Sequence, residues 1–150
     1  MSALLAFLHF VAAFGIAAVV FLEWQTMSPA PTLAEARRLQ VCDRWYGVFA
    51  VLVLVVGTLR FMYFEKGRDF YLGNPVFQAK LGLFLVAGLL SIYPTVRFLK
   101  WRTQTRHGAA PVVSRREHDL IMLMLRAEMA VLVGVVLCAS LMARGIGLRG

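Results

Sequence analysis

The sequence predicts an all-α fold, an integral membrane four-helix bundle with N-terminus and C-terminus outside, and three observations predict it. Of its 150 residues 60% are apolar and 16% charged, and the mean hydropathy of +0.72 is far above that of a soluble domain. The apolar residues gather into four blocks, each near the roughly 20 residues that a helix needs to cross a hydrocarbon core about 30 Å thick. None of the blocks alternates with the two-residue period of a barrel strand, and backbone in lipid must satisfy its own hydrogen bonds, which leaves the helix. The third observation is that the basic residues crowd onto two of the connecting stretches. Gly 12, Pro 5 and Cys 2 are ordinary counts, so disorder, a collagen-like chain and a disulfide-stapled scaffold are excluded.

The first span covers 3–22 and is interrupted only by His9 and Gly15. No Lys or Arg precedes it, and its apolar run exceeds the 7 to 15 residues of a signal-peptide core, so it reads as a retained helix. The second covers 45–64, with Thr58 and Arg60 as its polar members. Thr32 and Glu35 form a capping-box pair well before it, so this helix begins outside the apolar run. The third covers 77–98; Asn74 and Pro75 supply its N-cap and first-turn proline, and Pro94, which frees the Leu90 carbonyl, predicts a kink. The fourth lies in 120–143, with Ser114 and Glu117 as a second capping-box pair and Gly145 as a terminator. The connecting stretches 23–44, 65–76 and 99–119 are too short for a further domain, so 1–150 reads as a single four-helix transmembrane domain.

Orientation follows from counting cations beside the spans. The first and third loops with their flanks hold Arg37, Arg38, Arg44, Arg97, Lys100, Arg102, Arg106, Arg115 and Arg116; the other side holds Lys66, Arg68, Arg144 and Arg149. By the positive-inside rule those two loops are cytoplasmic and both termini face outward. The net charge of +8 is thus a topology signal. Nucleic-acid binding would need cations interleaved with aromatics on a soluble face, and the chain offers none.

An ionisable side chain at mid-membrane costs about 2.5 to 3.5 kcal/mol on insertion scales, so each asks for a partner, a route to water or a function. His9 falls about 10 Å inside the outer end of the first helix, Arg60 four residues before the outer end of the second span, and Lys80 three into the third. These three share an outer layer, bordered by Tyr63 and Glu65 and approached by Cys138 and Met142. One reading is structural: Arg60 and Lys80 reach the outer headgroups, Arg60 pairs with Glu65, and His9 hydrogen-bonds a neighbouring helix. The other is chemical. His9 offers an imidazole to a haem iron, while Arg60 and Lys80 meet the propionates at the membrane edge. His107 and His118 lie a membrane thickness away, so a second axial ligand would be Met142 or Met62, a histidine of another protomer, or none.

A second polar layer near the cytoplasmic face contains Glu23, Asp43, Arg44, Arg97, Arg126 and Glu128. Arg126 and Glu128 are two positions apart and point to nearly opposite faces. Arg126 can reach headgroups and Glu128 cannot, so Glu128 is expected to face inward and to pair with Arg44 or Arg97; an interhelical salt bridge is preferred to a proton path. Cys42 and Cys138 lie in opposite halves and read as free thiols. The chain has no CxxC, CxxCH, GxGxxG, Walker or HExxH pattern.

The stretch from Ala3 to Phe10, the segment from Leu59 to Gly67, and the run from Asn74 to Lys80 leading to Ser91-Ile92-Tyr93-Pro94-Thr95 resemble a family of uncharacterised bacterial predicted membrane proteins with four transmembrane helices. The likeness covers essentially the whole chain. His9, Arg60, Glu65, Lys80 and Glu128 fall at positions that look characteristic of that family. More distantly, an early histidine in the first helix and Ala79-Lys80-Leu81 in the third are similar to the haem-containing protoporphyrinogen IX oxidase and the copper-resistance D superfamily around it. That resemblance implies haem b with His9 as iron ligand and Lys80 as an essential partner; Arg60, which shares the outer layer, joins Lys80 as a catalytic candidate. The chain departs from the oxidase at Gln78, where a histidine often stands, and lacks the methionine-rich acidic opening of its second helix.

The resulting expectation is a haem-b or porphyrin-binding protein in quinone-linked electron transfer or porphyrin oxidation. The alternative is a membrane assembly factor or accessory subunit without cofactor, partnered by another membrane protein or a second copy of itself.

Overall fold

The computed structural model describes residues 2–60, 62 and 74–145. It contains α1 (Ser2–Thr26), α2 (Leu33–Leu59), α3 (Pro75–Arg106) and α4 (Arg115–Ala143), and all four are long and apolar enough to cross a membrane. There is no strand among the described residues. The helices form a ring: α1 packs on α2, α2 on α3, α3 on α4 and α4 back on α1, the closest packing being within the hairpins α1/α2 and α3/α4. The fold class is that of a four-helix membrane bundle.

Local chemistry sets the helix starts. The Thr32 hydroxyl accepts the Glu35 N–H at 3.2 Å and the Glu35 carboxylate accepts the Thr32 N–H at 2.7 Å, a complete capping box. The Asn74 side chain accepts from Val76 N–H at 2.8 Å, with Pro75 opening α3. Ser114 caps α4 by accepting the Glu117 N–H at 3.2 Å, but the reciprocal half of that box is missing because Glu117 turns elsewhere. Gly145, with φ of 75°, ends α4 in the left-handed conformation that glycine adopts without strain. Pro94 is buried inside α3, and the helix runs through it to Arg106.

The helices outrun the apolar spans. α2 begins twelve residues before 45 and α3 continues eight residues past 98, in two helical extensions. They pack on one another around buried Ala36, Leu39, Phe98, Trp101, Ile121 and Leu125. Gln40 Nε2 donates to the Phe98 carbonyl at 3.1 Å, Thr105 Oγ1 donates to Gln40 Oε1 at 3.2 Å, and Arg37 donates to the Thr105 carbonyl at 3.1 Å. The end that carries the loops 27–32 and 107–114, called the basic end below, is therefore a closed core.

The opposite, terminal end is built differently. Among the described residues, α3 buries no side chain before Ala87 and α4 none after Leu132. Closure there comes from α1 and α2, which bury Ala12, Ile16, Val53 and Val56. A Cβ on Gly15 would stand 2.7 to 2.8 Å from the ring of Phe49, so glycine allows this approach of the two helices. Outward surfaces carry Phe7, Phe14, Leu54, Leu85, Leu89 and Val133, apolar side chains suited to lipid tails rather than water.

Candidate functional site

In the terminal-end layer, His9 points from α1 at Gly57 of α2: a Cβ on that glycine would lie 3.3 Å from His9 Cε1 and 3.6 Å from Nδ1. Gly57 and Arg60 are three residues apart and share a helix face, so Arg60 stands one turn beyond the histidine toward the terminal end. Lys80 is half-buried on α3, the next helix of the ring, with Nζ 5.5 Å from the centre of the Phe77 ring. His9 thus lies against the face of α2 on which Arg60 stands one turn further on, and Lys80 is on the next helix. Cys138 and Met142 are half-buried on α4, and both cysteines are free thiols. Tyr63 and Glu65 lie outside the described residues.

The second polar layer departs from the expected pairing. Glu128 is buried, 1% exposed, while Arg126 is exposed, as their opposite faces require. Neither cation expected for Glu128 is its partner. Arg97 is gripped by Glu117, with Arg97 Nε donating to Oε1 at 2.7 Å and a second ion-pair contact from its terminal nitrogen to Oε2; Trp101 Nε1 also donates to Glu117 Oε1 at 3.1 Å. Arg44 donates to the carbonyl of Gln40 in its own helix at 3.3 Å. A carboxylate that holds a forked guanidinium and an indole N–H has little capacity left for its own cap, which is why Glu117 abandons the box at the start of α4.

Glu128 instead belongs to an interior group drawn from all four helices. Glu23 of α1 is 3% exposed, and the charges acting on it are those of Asp43 and Glu128. Tyr46 of α2 is within hydrogen-bonding reach of Glu128 and of Ser91 on α3, and Thr95 Oγ1 donates to Asp43 Oδ1 at 2.5 Å. Oε1 of Glu23 and Oε1 of Glu128 are buried and have no hydrogen-bond partner among the described residues. The sequence placed Glu23, Asp43 and Glu128 in one layer; it did not single out Tyr46, Ser91 and Thr95 as members, nor show that Glu128 meets acids and a phenol rather than a cation. The signal that could have shown it is spacing: Glu117, Ile121, Leu125, Glu128 and Leu132 mark one buried face of α4, so both glutamates had to point inward.

Among the described residues no three His, Cys, Asp or Glu side chains are arranged to hold a metal ion. A haem needs fewer protein ligands than that, and the donor set fits such a group to this extent: one imidazole, a guanidinium one turn away and an ammonium on the next helix, at the end where α3 and α4 bury no side chain. His118 is engaged with Asp119 at 3.1 Å at the basic end, far along the bundle from His9.

Fold and composition define the class: a small polytopic helical protein whose membrane-spanning part contains buried ionisable groups. The chain belongs to the family described as predicted membrane protein (DUF2214), whose model matches residues 1–147. No curated protein and no solved structure matches it.

Proposed function

We propose that the chain is a bacterial inner-membrane protein that holds a b-type haem or a related porphyrin in its terminal-end layer and serves quinone-linked electron transfer or porphyrin oxidation. The observation that carries this reading is His9 packed on Gly57 one turn from Arg60. His9 would supply the axial imidazole, and Arg60 and Lys80 would meet the propionates, or the carboxylates of a porphyrin substrate, at the membrane edge. When bound, the haem would supply one-electron chemistry, and the chain would set its orientation and access. Gly57 matters because a Cβ there already stands 3.3 Å from His9 Cε1, so a side chain as large as leucine would displace the imidazole, and the α1/α2 packing around Ala12 and Val56 keeps the layer anchored on one side.

The test is the visible absorption spectrum of detergent-purified protein from haem-replete cells, air-oxidised and then dithionite-reduced, beside His9→Ala and Gly57→Leu. A Soret band with reduced α and β peaks, abolished in His9→Ala and weakened or shifted in Gly57→Leu while all three proteins elute as single species, is the expected result. A flat wild-type spectrum overturns the proposal and leaves the layer to an accessory subunit, whose partner would then be sought by co-purification.

A further inference from the structure

We infer that Glu23, Asp43 and Glu128 form a proton-binding site inside the membrane-spanning part of the bundle, entered from the basic end at Asp43. It is separate from the terminal-end layer and does not depend on the haem proposal.

The argument is one of charge balance in a water-poor interior. An ionised carboxylate removed from water costs far more than folding can supply unless a cation or hydrogen bonds replace its hydration. Glu23 is 3% exposed, its Oε1 has no hydrogen bond among the described residues, and the charges acting on it are those of two other acids. Glu128 is 1% exposed, with its Oε1 in the same condition, and has Tyr46 and Asp43 beside it.

The titratable and charged neighbours of the group come from all four helices. α1 offers Glu23 alone. α2 offers Cys42, Asp43 and Tyr46; α3 offers Arg102, whose charge acts on Asp43; and α4 offers Glu128. Arg38 acts on Cys42, Arg97 is occupied by Glu117, and Arg126 is exposed. One guanidinium, that of Arg102, therefore acts on Asp43, while the groups acting on the two glutamates are other acids and Tyr46. One proton on each inner glutamate restores neutrality, with Asp43 left to Arg102 and to the Thr95 hydroxyl at 2.5 Å. A metal ion is the weaker occupant, because no three donors among the described residues are arranged to hold one.

The same geometry gives a route. Asp43 is half-buried and the shallowest of the three acids, whereas Tyr46 reaches both Glu128 and Ser91. A proton arriving from water at the basic end would be taken first by Asp43 and passed inward, each transfer breaking one O–H bond and forming another. No oxidant or co-reactant is required.

Infrared difference spectroscopy on proteoliposomes of the full chain tests this without any cofactor. The expected result is a protonated-carboxyl carbonyl band at neutral pH that shifts in deuterium oxide and loses intensity in Glu23→Gln and in Glu128→Gln. Asp43→Asn should retain the band and slow its deuterium shift. Glu23→Asp, which keeps the carboxyl, should move the band rather than remove it, so a glutamine variant that fails to fold does not block the test. Absence of the band in wild type, its persistence in the Glu23→Gln/Glu128→Gln double variant, or its loss on adding sodium or calcium chloride would each overturn the proposal, the last in favour of a metal cation.

Discussion

Two glutamates on the same face of α4 meet opposite fates, and the difference is made by what the neighbouring helix presents. Glu117 finds Arg97 and Trp101 on α3 and becomes a fully bonded anion; Glu128, eleven residues deeper, finds Tyr46 and other acids. Only the first is a structural ion pair. Glu117→Gln keeps the size of the side chain but has a single acceptor oxygen, so one guanidinium contact loses its charge and the other meets an amide NH2 that cannot accept. Hydrogen bonds to charged groups are worth about 1.5 to 3 kcal/mol, and Arg97 is partly solvated, so a loss of about 2 kcal/mol is expected. Denaturant titration of the purified protein, followed by tryptophan fluorescence, measures it, and an unchanged midpoint would show that the pair contributes nothing net. Reading Ser114 and Glu117 as a capping box succeeded for the serine and failed for the glutamate, because a local pattern carries no information about a guanidinium twenty residues earlier in the chain.

At the scale of elements, the sequence carried the number, order and type of helices because hydropathy over about 20 residues reports directly on the thickness to be crossed. It carried their lengths less well. Hydrogen bonding does not stop where apolar composition does, and α2 and α3 continue into a core closed by Gln40, Phe98 and Thr105, none of which stands out as apolar periodicity. The candidate residues of both polar layers were legible one by one, since an ionisable side chain in an apolar block is conspicuous. Their partners were not, because pairing depends on helix rotation and on neighbour order around the ring. Gly15 shows how finely the α1/α2 hairpin fixes that rotation. A Cβ there would stand 2.8 Å from Phe49 Cγ, an atom next to the backbone that cannot swing clear without a change of rotamer. Gly15→Ala should therefore destabilise the protein by about 2 kcal/mol, the usual cost of overpacking a filled interface, despite alanine's better helix propensity. Thermal unfolding in detergent decides it: an increase in midpoint would mean that the hairpin has slack the geometry does not show.

For the whole molecule, the division between a closed basic end and a terminal end held mainly by one hairpin has consequences for which compartment each end faces. Nine of the sixteen Lys and Arg residues flank the loops 27–32 and 107–114, and by the positive-inside rule that end would face the cytoplasm. The proton entry at Asp43 would then open to the cytoplasm, while His9, Arg60 and Lys80 would lie near the external leaflet. Single cysteines can test this orientation directly. In a Cys42→Ala/Cys138→Ala background, Ala3→Cys near the exposed start of α1 and Ala109→Cys in the exposed third loop report the two ends. A membrane-impermeant maleimide added to intact spheroplasts should label Ala3→Cys and spare Ala109→Cys, and permeabilisation should make both reactive. The inverted pattern would place the basic end outside, against the charge bias, and would put the carboxyl cluster on the proton-rich side of an energised membrane. Equal labelling of both sites in intact spheroplasts would mean a mixed population, in which the nine-to-four excess of flanking cations fails to set direction.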